Sequence, residues 1–111
     1  MLIQKIKPER NEKYRRWIAS LPCCITGKQG ETQCAHISRV GMGMKASDFE
    51  TIPMHFMKHD EQTKTGSEVK FWAKYGKTMD DVYALANALN VKQYDTDAAY
   101  LVLARFKHGN F

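Results

Sequence analysis

The spacing of hydrophobic positions changes along this chain and divides it into three stretches. Tyr14, Trp17, Ile18 and Leu21 recur at three- and four-residue intervals, Pro8 suits a first helical turn and Pro22 ends the pattern, so an amphipathic helix is expected over residues 8–20. Its other face carries Arg10, Lys13, Arg15 and Arg16, which either touch phosphates or form a solvated charged surface. Residues 22–66 lose the helical period and hold turn signals at Gly27 and Gly30, a glycine-rich stretch at Gly41-Met42-Gly43, and all three cysteines. Thr32–Ile37 and Thr51–His55 each suit a brief strand, and the polar segment from about His55 to Thr65 suits a short helix stopped by Gly66. The period then becomes helical again. Ser67 can cap a helix through Tyr75 that Gly76 closes, Thr78 with Asp81 resembles a capping box for a helix to about Leu89, and a last helix fits Asp97–Phe106. Phe71, Trp72, Tyr75, Val82, Leu85, Leu89, Tyr100, Leu101 and Leu103 are read as the core of this helical tail. The expected class is α+β, with a ββα element at about residues 22–66 between an N-terminal helix and a helical tail at 67–111.

With 111 residues and 43% hydrophobic positions, the chain has material for one core, and no repeat or linker marks a second domain, so residues 1–111 are read as one. The net charge of +5 and a pI near 9.2 favour a polyanionic partner, nucleic acid first, although the same charge also serves plain solubility. The first eight residues lack the apolar stretch of a secretory signal, and the longest apolar run, Ala98–Ala104, is too short to span a bilayer. A soluble, intracellular protein without a membrane partner is expected. Three cysteines, two of them adjacent, make a poor disulfide framework and are better read as reduced thiols or metal ligands.

Three of the four histidines, His36, His55 and His59, fall in the strand, strand, helix segment, where imidazole can act as base or metal ligand near neutral pH. Around them stand Leu21-Pro22-Cys23-Cys24-Ile25-Thr26-Gly27, Ala35-His36-Ile37, the loop Gly41-Met42-Gly43-Met44-Lys45-Ala46-Ser47-Asp48, Thr51-Ile52-Pro53-Met54 and His59-Asp60-Glu61-Gln62. In this order they resemble the HNH endonucleases, and more narrowly the small HNH nucleases of phages and prophages, over about residues 14–76. The resemblance implies a ββα-metal finger holding a divalent ion, Mg²⁺ or Mn²⁺, against a scissile phosphate of DNA. It makes His36 the general base that takes a proton from the attacking water, and His59 a metal ligand. It also implies cleavage leaving 5′-phosphate ends, in phage or prophage DNA processing within the bacterial host cytoplasm. Arg39, Lys45 and Lys64 are candidates to hold flanking phosphates.

The chain departs from the family's pattern at several positions. Where many relatives place a second metal ligand four residues after the first, this sequence has Thr63, whose hydroxyl is a weak ligand, with Asp60 or Glu61 as other oxygen sources. The residue before the base is Ala35, as in much of the phage subset. No asparagine lies between His36 and His59, leaving Asp48 or Glu50 to stand in; Asp48 is favoured and is also a candidate to complete the metal shell. The zinc knuckles of many relatives are reduced to Cys23-x-x-Thr26 and His55-x-x-Lys58. A structural zinc on Cys23 and His55 would need Cys24 or Cys34 as well, and a packed knuckle without metal is the favoured expectation. Three functional readings remain: an active endonuclease, a non-catalytic nucleic-acid-binding module derived from a degenerate finger, and a structural or protein-partner adaptor that rests only on the helical tail. The oligomeric state is open; the apolar tail serves an intramolecular core or a homodimer equally well.

Overall fold

The computed structural model of the chain describes residues 10–37 and 47–109. Over these residues the order is α1 (Glu12–Ala19), β1 (Thr32–His36), β2 (Thr51–His55), α2 (Phe56–Thr65), α3 (Glu68–Ala73), α4 (Met79–Val91) and α5 (Thr96–Lys107). The strands form one antiparallel pair with Thr32 opposite His55, Cys34 opposite Pro53 and His36 opposite Thr51. The protein is therefore a mixed α+β structure.

Helix α1 starts later than the hydrophobic spacing suggests. Asn11 sits at its N-cap in extended conformation and its side-chain oxygen accepts the Tyr14 N–H at 2.9 Å, so the first turn is set by a side-chain cap, while Pro8 lies outside the described residues. Tyr14, Ile18 and Leu21 point into the core, and Trp17 stays at its edge, donating through Nε1 to Thr96 Oγ1 at 3.2 Å. After α1 the chain folds into a tight knuckle: Cys23 N–H donates to the Lys28 carbonyl and Gly27 N–H to the Cys23 carbonyl, each at 2.9 Å. Gly27 takes a positive φ of 75°, and a Cβ there would lie 3.1 Å from Lys107 Nζ. Cys24 N–H donates to the Pro53 carbonyl at 2.9 Å, pinning the knuckle to β2. Pro53 fits the strand because a two-stranded sheet gives each strand a free edge, where a missing N–H costs no ladder bond.

Helix α2 follows β2 directly. The His55 imidazole caps it by accepting the Met57 N–H at 3.2 Å, and Gly66, left-handed at φ 76°, closes it. No residue of α2 is buried. It is held instead by polar ties to the turn that follows α3: Tyr75 donates to Glu61 Oε2 at 2.5 Å, and Lys58 Nζ donates to the Tyr75 hydroxyl at 2.9 Å.

A single hydrophobic cluster joins the strands to the tail, with Ile52 and Met54 of β2 packed among Trp72, Leu85, Leu89 and Phe106. The capping box at Thr78 and Asp81 is formed, with both reciprocal hydrogen bonds present. Two expected core residues are on the outside. Tyr100 and Leu101 are exposed, because the inward stripe of α5 runs through Ala99, Val102, Leu103 and Phe106; the Tyr100 hydroxyl accepts from the Gln29 amide at 2.7 Å. Among the described residues no helix is long and apolar enough to cross a membrane.

Candidate functional site

His36 ends β1, and Asp48 lies in the turn that leads into β2, so strand pairing brings together two residues twelve apart in sequence. His36 Nε2 is 2.8 Å from Asp48 Oδ1. The same oxygen accepts from Arg10 at 3.0 Å, and Oδ2 accepts the Asn11 backbone N–H at 2.7 Å. A fourth bond, from Thr51 Oγ1 to the Asp48 carbonyl at 2.8 Å, fixes the backbone of the turn. Burial alone would raise the Asp48 carboxyl, but the hydrogen bonds from His36, Asn11 and Arg10 outweigh it and hold the group below its ordinary value of 3.8. Asp48 is thus an ionised, 2% exposed carboxylate behind a partly exposed imidazole. His36 and Arg10 share Oδ1 while Oδ2 carries the Asn11 N–H, so protein donors meet both of its oxygens. Because a carboxylate only accepts, the imidazole proton belongs on Nε2, which leaves the lone pair of neutral His36 on Nδ1.

The second histidine is held in a matching way from the opposite direction. His59, in the first half of α2, contacts Gln33 of β1, with Nδ1 2.7 Å from the amide oxygen Oε1. An amide oxygen accepts, so Nδ1 carries the proton and Nε2 is the nitrogen with a lone pair. Thr63, one helical turn on, donates through Oγ1 to the His59 carbonyl at 3.1 Å and keeps its oxygen lone pairs. His36, His59 and Thr63 line one groove of about 300 Å³, together with Gln62, Ser67 and Glu68 at the α2–α3 junction. Strand and helix therefore present two oriented imidazoles to the same space.

Among the described residues no three or more His, Cys, Asp or Glu side chains come together as a metal site. His59 Nε2 and the Thr63 hydroxyl oxygen are groups in this groove that could hold a cation which keeps most of its waters. This pair does not match structural zinc, which wants four protein ligands. At the knuckle, the His55 ring has Nδ1 on the Met57 N–H and Nε2 3.4 Å from Glu31 Oε2. Cys23 is nearby: burial raises its thiol, but the His55 backbone N–H and the Thr26 groups outweigh that and lower it. Burial pushes the Cys24 thiol well up and raises that of Cys34.

Of the expected phosphate contacts, Arg39 and Lys45 lie outside the described residues. Lys64 is on the exposed side of α2, paired with Asp60 at 2.8 Å. Gln33 and Asn11 are not legible as site residues in the sequence, and Arg10 reads only as part of a basic helix face, because their partners lie 26 or more positions away and no local spacing marks them. Arg15 and Arg16 of α1, with Glu12 paired to Arg16 at 2.7 Å, line a further groove of about 440 Å³ that reaches His59 and Gln33.

These features define a small, basic α+β protein with two oriented histidines in one groove. Residues 1–91 match the family model described as protein of unknown function (DUF968), and the chain belongs to that family. No curated protein and no solved structure matches it.

Proposed function

We propose that this protein is a metal-dependent endonuclease that hydrolyses phosphodiester bonds in DNA, with a ββα site of the HNH type. One observation carries the reading: His36, oriented by buried Asp48, and His59, oriented by Gln33, wall the same groove from a strand and a helix. Phosphodiester hydrolysis needs a base on one side of the phosphorus and charge stabilisation on the other, and two platforms at an angle provide this. His36 accepts a proton from water at Nδ1 as the water oxygen bonds to phosphorus and the bond to the 3′ oxygen breaks; solvent protonates the departing oxygen. Asp48 stabilises the imidazolium that forms, without taking its proton. His59 would hold the divalent ion through Nε2, with Thr63 beside it, and the bound ion would offset negative charge on the phosphoryl and leaving oxygens. The net charge of +5 assists by drawing in the polyanion.

The test is conversion of supercoiled plasmid to nicked circles by the full chain. Nicking is expected with Mg²⁺ or Mn²⁺ and should stop with EDTA; its absence with every divalent ion overturns the enzyme reading. The sparse metal shell favours one rival, a nucleic-acid-binding module without catalysis, and plasmid retardation without nicking would select it. A second expectation concerns Gln33. Removing the partner of a metal-binding imidazole typically weakens metal affinity by about 10–100-fold, so Gln33→Leu should weaken Mn²⁺ binding by that factor in titration calorimetry. Gln33→Glu, which keeps an acceptor at the same place, should retain most of it.

A further inference from the structure

His59 lines not one groove but three. Besides the groove shared with His36 and the one shared with Arg15 and Arg16, it walls a third, of about 620 Å³, together with Gln33, Phe56, Met57, Asp60 and Thr63. His59 is common to all three, Thr63 joins the third groove to the one shared with His36, and Gln33 joins it to the one shared with Arg15 and Arg16. The third groove differs in chemistry from the other two. Phe56 is 44% exposed and Met57 63% exposed, adjacent on a helix with no buried residue. Burial in the core does not explain this pair.

The Phe56 ring is braced. It lies 4.7 Å from the His55 ring at an interplanar angle of 36°, and its backbone N–H donates to the Glu31 carbonyl at 3.0 Å. His55 is itself fixed by its bond from Met57 N–H. A supported aromatic ring facing solvent, beside the polar edges of Gln33, Asp60 and Thr63, meets the needs of a nucleobase: a π-face to stack on and donors and acceptors at the rim. Bases paired within a duplex are stacked on their neighbours and offer no free face.

We propose that this third groove binds an unpaired nucleobase adjacent to the phosphate held at His59, so that the substrate is single-stranded DNA or DNA with a locally unpaired nucleotide. This rests on the endonuclease reading for the phosphate's position. Arg15 and Arg16 hold the backbone on one side of His59, and Phe56 receives a base on the other. Asp60, paired with Lys64 at 2.8 Å, adds little net charge to repel the strand.

The experiment is fluorescence anisotropy of the full chain in EDTA, with a labelled oligodeoxythymidylate and a blunt duplex of equal length as probes. The single strand should bind more tightly than the duplex. Phe56→Ala should weaken single-strand binding by about 10-fold or more, the range expected for loss of one stacked base, and leave duplex binding unchanged. Phe56→Trp should restore it. Phe56 is partly exposed, so circular dichroism of Phe56→Ala should match that of the unaltered chain. Equal binding of both probes, or single-strand binding indifferent to Phe56→Ala, overturns this proposal while leaving the endonuclease reading intact. Failure to bind either probe likewise overturns this proposal, while the endonuclease reading stands or falls on nicking with Mg²⁺ or Mn²⁺.

Discussion

Replacing His36 by alanine should lower plasmid nicking by about 10²–10⁴-fold, the usual contribution of a positioned general base. Asp48→Asn should reduce it by a comparable factor for a different reason. If the asparagine amide nitrogen replaces Oδ1, it donates to Nε2, the imidazole proton moves to Nδ1, and the lone pair facing water is lost. If the amide oxygen takes that place, the tautomer survives but the charge that stabilises the imidazolium is gone. Single-turnover rates at saturating Mn²⁺ measure both variants. A His36→Ala protein within about threefold of the unaltered rate would sink the assignment. The Asp48 variant also has a stability signature. A carboxyl lowered in the folded state contributes stability that is complete above its ordinary value of 3.8 and is lost as pH falls through the lowered one. The difference in urea midpoint between the unaltered chain and Asp48→Asn should therefore be largest near neutrality and shrink in acid.

Those two residues show which parts of the site could be read from the chain and which could not. His36 and His59 stood out because their residue type is uncommon and their surrounding segments occur in a recognisable order. Asp48 stood out as the acidic residue of the matched loop, but its role depends on direction. Only the folded turn shows that its oxygens meet His36, Arg10 and Asn11. Gln33 carried no signal, since a glutamine in a short strand reads as an exposed position and its partner is on another element. Long-range pairing of single polar side chains leaves no periodicity in sequence.

The elements themselves were more legible, because caps and periods are local. Asp95, Thr78 and Ser67 each cap the helix that follows, and Gly66 closes α2 as a left-handed glycine should. Two readings differ from the structure. The sequence places the first helix from Pro8, whereas the observed cap is Asn11, whose side chain reaches the Tyr14 N–H. On α5, the apolar run Ala98–Ala104 supplies more hydrophobic residues than one helical face can bury, so Tyr100 and Leu101 are left outside.

Trp72→Ala should destabilise the protein by about 3–5 kcal/mol, the cost of truncating a large buried aromatic residue. Trp72 is 1% exposed and meets Phe71 edge-on at 5.2 Å and Phe106 of α5 at 6.0 Å. Its carbonyl also accepts the N–H groups of Tyr75 and Lys77, so its backbone fixes the turn into α4. Against a typical total of about 5–15 kcal/mol, the loss is severe, and at roughly 4–8 °C per kcal/mol the thermal midpoint should fall by on the order of 15 °C or more. The consequence extends to the groove, because no residue of α2 is buried and Glu61 and Lys58 tie it to Tyr75, in the turn that follows α3. As α3 loosens, His59 loses its fixed distance from His36. Nicking by Trp72→Ala should therefore fall at temperatures where far-ultraviolet circular dichroism still reports folded helix. If the variant loses less than about 1 kcal/mol, the tail does not share a core with the strands, and the support assigned to α2 is wrong.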